Sequence, residues 1–474
     1  MIDILVIISF LLASLFLGIR TKIGKTEKDY FLGGGNIHWF FLCLSVVATE
    51  TSALTFLAVP GLAWAGSWSF LQLGLGFLIG RMIVAYSLLP LYLDRGFLTI
   101  YEWLKREYGP SVQRSVSYIF QITRILGDGI RLYASALPFG LWLTYLGINE
   151  RDSFIITLSV LSFVTIIYST FGGFRSIVIV DSFQLGIYWL GGILALIMLY
   201  QNFQNQNEPF IWKNLNIFPE NPEFKNPYSW GLGILGGAFL SLATHGTDQM
   251  LVQRFLATPS LRDGRKAVIV SGILVIIQFM IFLMIGSLLL YVYPNDGSIE
   301  KDKVFTKYLL QYMPPPILGL ILCGILASSM STLSSTLNSL SLSFWIDAKG
   351  KDFLPRWKIG LKSLSVFFGF LLFGSSLGVY FLQEDTKKSI VELGLTVASY
   401  TSGPILFLFL AHLMRLRFNP KMISLVLILS ITTAWILNKV FPVPFTILIP
   451  LELIITFVWN AVFLWIGTKQ KITE

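Results

Sequence analysis

The sequence predicts an all-α membrane protein with about 13 transmembrane helices. Three observations carry this expectation. Of the 474 residues, 54% are hydrophobic and only 13% are charged, and the mean hydropathy is +0.71. Apolar runs of roughly 20 residues, long enough to cross a bilayer as a helix, recur along the whole chain. Two of these runs are interrupted by charged and hydroxyl residues at mid-membrane depth, in corresponding places. The net charge of +9 belongs to Lys/Arg-rich loops that fall on the inner side if the N-terminus is outside, so the positive-inside rule accounts for it. No basic tail or aromatic-basic patch argues for nucleic acid. The only two cysteines, Cys43 and Cys323, lie in apolar segments and read as small buried hydrophobes. The three histidines lack ligand spacing and give no basis for a transition-metal centre.

In chain order, the spans fall near residues 2–20, 38–64, 68–92, 113–147, 153–171, 176–200, 231–255, 267–293, 316–345, 359–382, 389–413, 421–438 and 445–467. The first lacks a basic start and a small-residue cleavage site, so it is expected to remain as a helix rather than be removed as a signal peptide. The second reads SVVATETSALTFLAVPG, with Glu50 among hydroxyls ahead of Pro60-Gly61. Residues 94–110 mix charged and apolar side chains at helical spacing, as an amphipathic helix on the inner surface would. The fourth span carries Arg124, Asp128 and Arg131 on one face, where Asp128 can pair with both arginines. This triad reads either as a packing network or as a source of one spare arginine for an anionic solute or for Glu50.

The stretch YSTFGGFRSIVIVDSFQ puts Gly172-Gly173 at a tight turn and Asp181 within the bilayer edge. A lone acid there is either capped by neighbouring polar groups or supplies charge to a cation. The seventh span, GGAFLSLATHGTDQ, holds His245-Gly246 and Asp248 at a depth comparable to Glu50. His245 reads as a packing residue or a proton carrier. The long loops 201–228 and 294–315 are rich in Asn, Pro and charge and are expected over the outer mouth. In the ninth span, Ser328, Ser331, Thr332, Ser335 and Ser339 share about one third of the helix circumference. Such a column of oxygens either lets helices pack closely or ligates a cation.

The chain divides as a single transmembrane unit, 1–474. An extra helix, 2–20, precedes a first five-span repeat, 38–200, and a second of opposite sense, 231–413, and two helices follow at 421–467. Paired broken spans at the starts of inverted halves point to a secondary transporter with a midplane site. No nucleophile and base converge in one segment, so an enzyme is not expected.

Five segments in order, DYFLGGGNIHWFFLCLSVVAT, LLPLYLDRGFLTIYEWLKREYG, FGGFRSIVIVDSFQ, DQMLVQRFLATPS and SSMSTLSSTLNS, resemble the sodium:solute symporters over nearly the whole chain. The resemblance implies the inverted-repeat fold of a bacterial leucine transporter with one helix added in front. It also implies a sodium site from the carbonyls of Ala48, Thr51 and Ser328 and the hydroxyls of Ser331 and Thr332. A second sodium is implied at Asp181, Ser331, Ser334 and Ser335. The solute would face Glu50, Ser52, Thr55, Phe70, Ser241, Thr244 and Thr396, with Gln72 close by and Arg124 and Arg131 as candidate anion partners. Leu54 and Gly35 replace the sugar transporters' glutamine and the proline transporters' arginine, which argues against simple hexose or proline. The expected protein is thus a sodium-coupled symporter of a small polar organic solute, two sodium ions per solute, with no organic cofactor. It would sit in a plasma membrane, such as a bacterial inner membrane, with its C-terminus inside and lipid as its surroundings, and a monomer would suffice. The competing readings are proton coupling through His245 or Glu50 and a transport-inactive sensor of the same fold.

Overall fold

The structure is a computed structural model that describes residues 2–21, 26–93, 96–204, 215–219, 223, 226–297, 299–301, 303–348, 357–382, 390–416, 418 and 422–473. The side chains of 54, 204, 357–359, 390–396, 398 and 467–473 fall outside this description. The described residues form helices throughout. Eight of these are long and apolar enough to cross a membrane by themselves, which makes the chain an integral membrane protein.

Helix α1 spans Ile2–Arg20 and α2 is a short helix, Glu27–Leu32, started by a Thr26–Asp29 capping box. The broken span follows as α3, Trp39–Glu50, and α4, Ala53–Ala65. The break falls at Thr51–Ser52, both in extended backbone, while Pro60 lies inside α4. Helix α5 runs Leu71–Tyr92 with one π-helical turn at Val84–Leu88. The amphipathic segment is α6, Ile100–Tyr108, begun by a Thr99–Glu102 capping box. Its apolar residues Ile100, Tyr101, Trp103 and Leu104 are buried in the protein, Trp103 stacking on Phe409 at 4.8 Å.

Helix α7 is Pro110–Tyr145. Helix α8, Glu150–Gln204, has two arms joined at Gly173, whose φ of 65° favours glycine. The second broken span is α9, Leu232–Thr247, and α10, Gln249–Leu256, with Asp248 extended between them and its carboxylate capping the Met250 N–H at 2.9 Å. Then come α11, Leu261–Val292, α12, Val304–Tyr312, and α13, Ile317–Asp347, buried along most of its length. Helices α14 (Trp357–Leu382), α15 (Ile390–Leu413), α16 (Ile423–Val440) and α17 (Phe445–Thr473) complete the chain.

The first broken span packs against α8, α11 and α13, and the second against α5, α15 and α17, with α10 reaching α13. Glycines allow the closest approach: a side chain at Gly76 on α5 would overlap the backbone of Ile234 and Ala238 on α9, the packing that small residues permit in membranes. Both long loops reach the broken span or its neighbour. Asn295 donates to the Ala65 carbonyl at the end of α4 at 3.3 Å, and the Trp68 N–H donates to the Asn216 carbonyl at 3.1 Å.

Candidate functional site

Where α3 stops, its last carbonyls lose their helical partners. The Thr51 N–H still reaches the Val47 carbonyl at 2.9 Å, but Ser52 is extended, so the Ala48 carbonyl is released. Facing it is α13. Ala48, Thr51, Ser328 and Ser331 line one narrow cavity. Beside them, the Thr332 hydroxyl donates to the carbonyls of Ser328 at 3.0 Å and Thr49 at 3.2 Å. All five residues of the first expected sodium site are thus neighbours, and all their donors are neutral oxygens.

The second set also converges, but around a residue the sequence reading missed. Asp181 accepts from Ser331 at 2.8 Å and from Ser45, and the Arg254 guanidinium lies 3.1 Å from it. Arg254 also donates to Ser335, to Thr49 and, at 2.6 Å, to the Met250 carbonyl. Ser334 donates to the Ser331 carbonyl at 3.0 Å. The cation at Asp181 in this structure is therefore an arginine. Its signal in the sequence was a single charge in the apolar run LVQRFL, the same signal that had drawn attention to Asp181.

Above the break lies a larger cleft. Glu50, Ser52, Thr55, Phe70, Arg124, Arg131 and Thr244 line it, with Gln278 and Phe279 of α11. Two expected solute residues do not line it. Gln72 points away and donates to the loop carbonyls of Ile217 at 2.7 Å and Tyr228 at 2.9 Å. Ser241 faces α5, donating to the Phe77 carbonyl at 2.9 Å. In both cases a free backbone carbonyl from a neighbouring segment takes the polar group. The Thr396 side chain lies outside the described residues.

The charges of the cleft are paired differently from the options read in the sequence. Glu50 is met by Arg81 of α5, which is fully buried, and not by Arg124 or Arg131. His245 Nε2 is 3.6 Å from Glu50, while its Nδ1 lies 3.2 Å from the Ser241 carbonyl. Arg124 donates through Nε to Asp248 at 3.0 Å and stands 3.5 Å from Asp128. Asp128 accepts from Thr336 at 2.6 Å, which ties α7 to the serine-rich helix. Among the described residues Arg131 pairs with Asp128, at 3.5 Å, and of the charged side chains here it is among the more open, 22% exposed. Ser339 and Ser341 bond to their own helix at 3.1 and 2.7 Å and serve packing.

A broken helix that releases carbonyls toward a column of hydroxyls, directly beneath a cleft lined with charge, defines an ion-coupled secondary transporter. The chain belongs to the sodium:solute symporter family, whose model matches residues 30–422, and sodium is the co-transported ion. It is 25% identical over 444 residues to the sodium/sialic acid symporter SiaT of Proteus mirabilis, covering 90% of this chain and 87% of that one. It is 24% identical to the human sodium/iodide cotransporter, over 84% of this chain and 62% of that one. Among solved structures, that of a Na+-coupled sialic acid symporter in a substrate-bound, outward-open state superposes with a TM-score of 0.79. The two are 21% identical over 98% of this chain and 97% of that one. A nucleobase-cation-symport-1 family transporter superposes with a TM-score of 0.57 at 12% identity, over 92% of this chain and 93% of that one, so the helical arrangement is kept where the sequence is not.

Proposed function

We propose that the protein is a sodium-coupled secondary active symporter that moves a small organic anion by alternating access, with two sodium ions per solute. The observation that carries the reading is the narrow cavity between Ala48, Thr51, Ser328 and Ser331, next to the unwound segment that also lines the solute cleft. An ion held there fixes the end of α3 and, through Ser52 and Thr55, the floor of the cleft. The solute's charge is argued from elimination among the cleft cations. Arg81 is taken by Glu50 and Arg124 by Asp248, while Arg131 has the weakest hold, a 3.5 Å pair with an Asp128 that Arg124 shares, and its planar fork suits a carboxylate. The second sodium takes the position at Asp181 in exchange with Arg254. Each arm of α8 and each broken pair is taken as one crossing, which gives about 13, with repeats at 38–200 and 231–413 and the N-terminus outside.

The test is uptake of labelled small carboxylates, sialic acids included, into proteoliposomes. Accumulation should follow an inward sodium gradient, and Arg131→Gln should lower kcat/KM by roughly ten- to a hundredfold, the loss expected for a hydrogen bond to a charged group. The competing reading rests on His245 beside Glu50 and predicts uptake driven by a pH step without sodium. That result would overturn sodium coupling.

A further inference from the structure

Among the described side chains of α17 a single one is ionisable, Glu452, and it is fully buried. It stands about 10 Å along the axis from the start of the helix, well inside the apolar depth of the span. Its carboxyl meets one donor, the Gly403 N–H of α15, which reaches Oε2 at 3.2 Å. Among the described residues Oε1 has no hydrogen-bond partner. Helix α17 packs mainly on α15, α9 and α16, and the ionisable groups described on those helices are engaged elsewhere. On α9, His245 faces Glu50. On α16, Lys439 lies over the Trp435 ring at 5.0 Å. On α15, the Tyr400 hydroxyl accepts from Asn438 and His412 faces Glu107 at 3.5 Å, while the Glu392 side chain lies outside the described residues.

The seam between α15 and α17 is shaped around this acid. A side chain at Gly403 would put its Cβ 2.5 Å from that of Glu452, so only glycine admits it. Pro404 lies inside α15 and Pro450 inside α17. Neither has an N–H, so the Tyr400 and Thr446 carbonyls are left without their helical donors, and the seam has backbone acceptors to spare. A carboxylate can only accept, and one N–H does not offset the removal of a full charge from water. A neutral carboxyl costs far less to bury, and its O–H can donate to a carbonyl. Sodium would need several oxygens around the carboxylate, whereas the group nearest Oε2 is a donor. We infer that Glu452 is a proton-binding site inside the membrane, occupied in this conformation, which fastens α15 to α17. Thr401, Ser402 and Ile405 of α15 line the solute cleft, so the proton holds one wall of the cleft from behind. The site is separate from the sodium positions and does not depend on the reading of them.

The experiment compares the full-length wild type in detergent with Glu452→Gln, which keeps the shape and an acceptor oxygen. The infrared difference between the two at neutral pH should show the loss of a protonated-carboxyl C=O stretch and no loss in the carboxylate bands. A proton held by the folded chain and released on unfolding makes stability fall as pH rises, because an unfolded glutamate ionises above about pH 4.3. From about pH 5 to 8 the wild type's folded-to-unfolded ratio should therefore drop by up to tenfold per pH unit relative to Glu452→Gln. Melting temperatures would show this as a gap that widens in the variant's favour, the other titrating groups being common to both. Glu452→Met, similar in size with no group to ionise, should give the same two results. The inference is overturned if the lost band is that of a carboxylate, if wild type and variants melt with the same pH dependence, or if the gap follows sodium concentration and not pH, which would put a metal ion at the acid.

Discussion

The charged residues of the cleft are held by partners on other helices. Arg81 has no exposed side-chain surface and faces Glu50, so removing it strands a carboxylate inside the membrane. Arg81→Leu should cost about 3 kcal/mol or more, as breaking a buried pair does, while Arg81→Leu with Glu50→Gln should recover much of the loss. Melting curves of the two variants in the same detergent check this, and equal destabilisation of both would argue against the pair. The same pairing marks the limit of reading by residue. Helical periodicity brought out Arg124, Asp128 and Arg131 because they share a face, and their ion pairs at 3.5 Å follow from that spacing. Arg81 with Glu50, Arg254 with Asp181 and Asp248 with Arg124 join different helices. No periodicity links such positions across helices.

The elements were largely legible because a membrane span is a matter of length and hydropathy. The interruption of two spans was also legible, from Glu50 and from His245-Gly246-Asp248. The first break falls directly after Glu50, at Thr51–Ser52, where the carbonyls of Ala48 and Thr51 were expected to be released, while Pro60 stays inside α4. The partner of the neighbouring carbonyl was not legible. There the Thr332 hydroxyl from α13 takes the Thr49 carbonyl, a partner 283 residues away that no local rule supplies. Gln72 and Ser241 illustrate the same point, because a helix face cannot reveal which carbonyl a neighbouring segment will offer. Helix contacts depend on small residues in a way that can be measured. Gly76 meets the α9 backbone at Ile234 and Ala238, so Gly76→Val should separate α5 from α9 and lower stability by about 3 kcal/mol. Gly66, which has open space around it, should tolerate Ala with little change in melting temperature, and that substitution is the control.

At the scale of the molecule the two proposed ion positions and the cleft share the broken span. Ala48 and Thr51 border the ion cavity, Thr51 and Ser52 line the cleft, and Thr49 contacts both Ser335 and Arg254 at the Asp181 end. With ion and solute at the proposed positions, both order the same few residues, and the energy of one site appears in the affinity of the other. The coupling must be reciprocal: the factor by which sodium tightens solute must equal the factor by which solute tightens sodium. The ion count then becomes readable at equilibrium, without any transport measurement. If two sodium ions bind together with each solute, the solute Kd at low sodium falls as the square of the sodium concentration, so log Kd against log sodium has a slope near minus two. Asp181→Ala removes the acid of the second position but leaves the carbonyls at the end of α3, and the slope should drop to about minus one. A slope of minus one in the wild type would mean that Arg254 holds the second position throughout the cycle. The guanidinium would then be a fixed internal counter-ion to Asp181, and the transporter would run on one sodium.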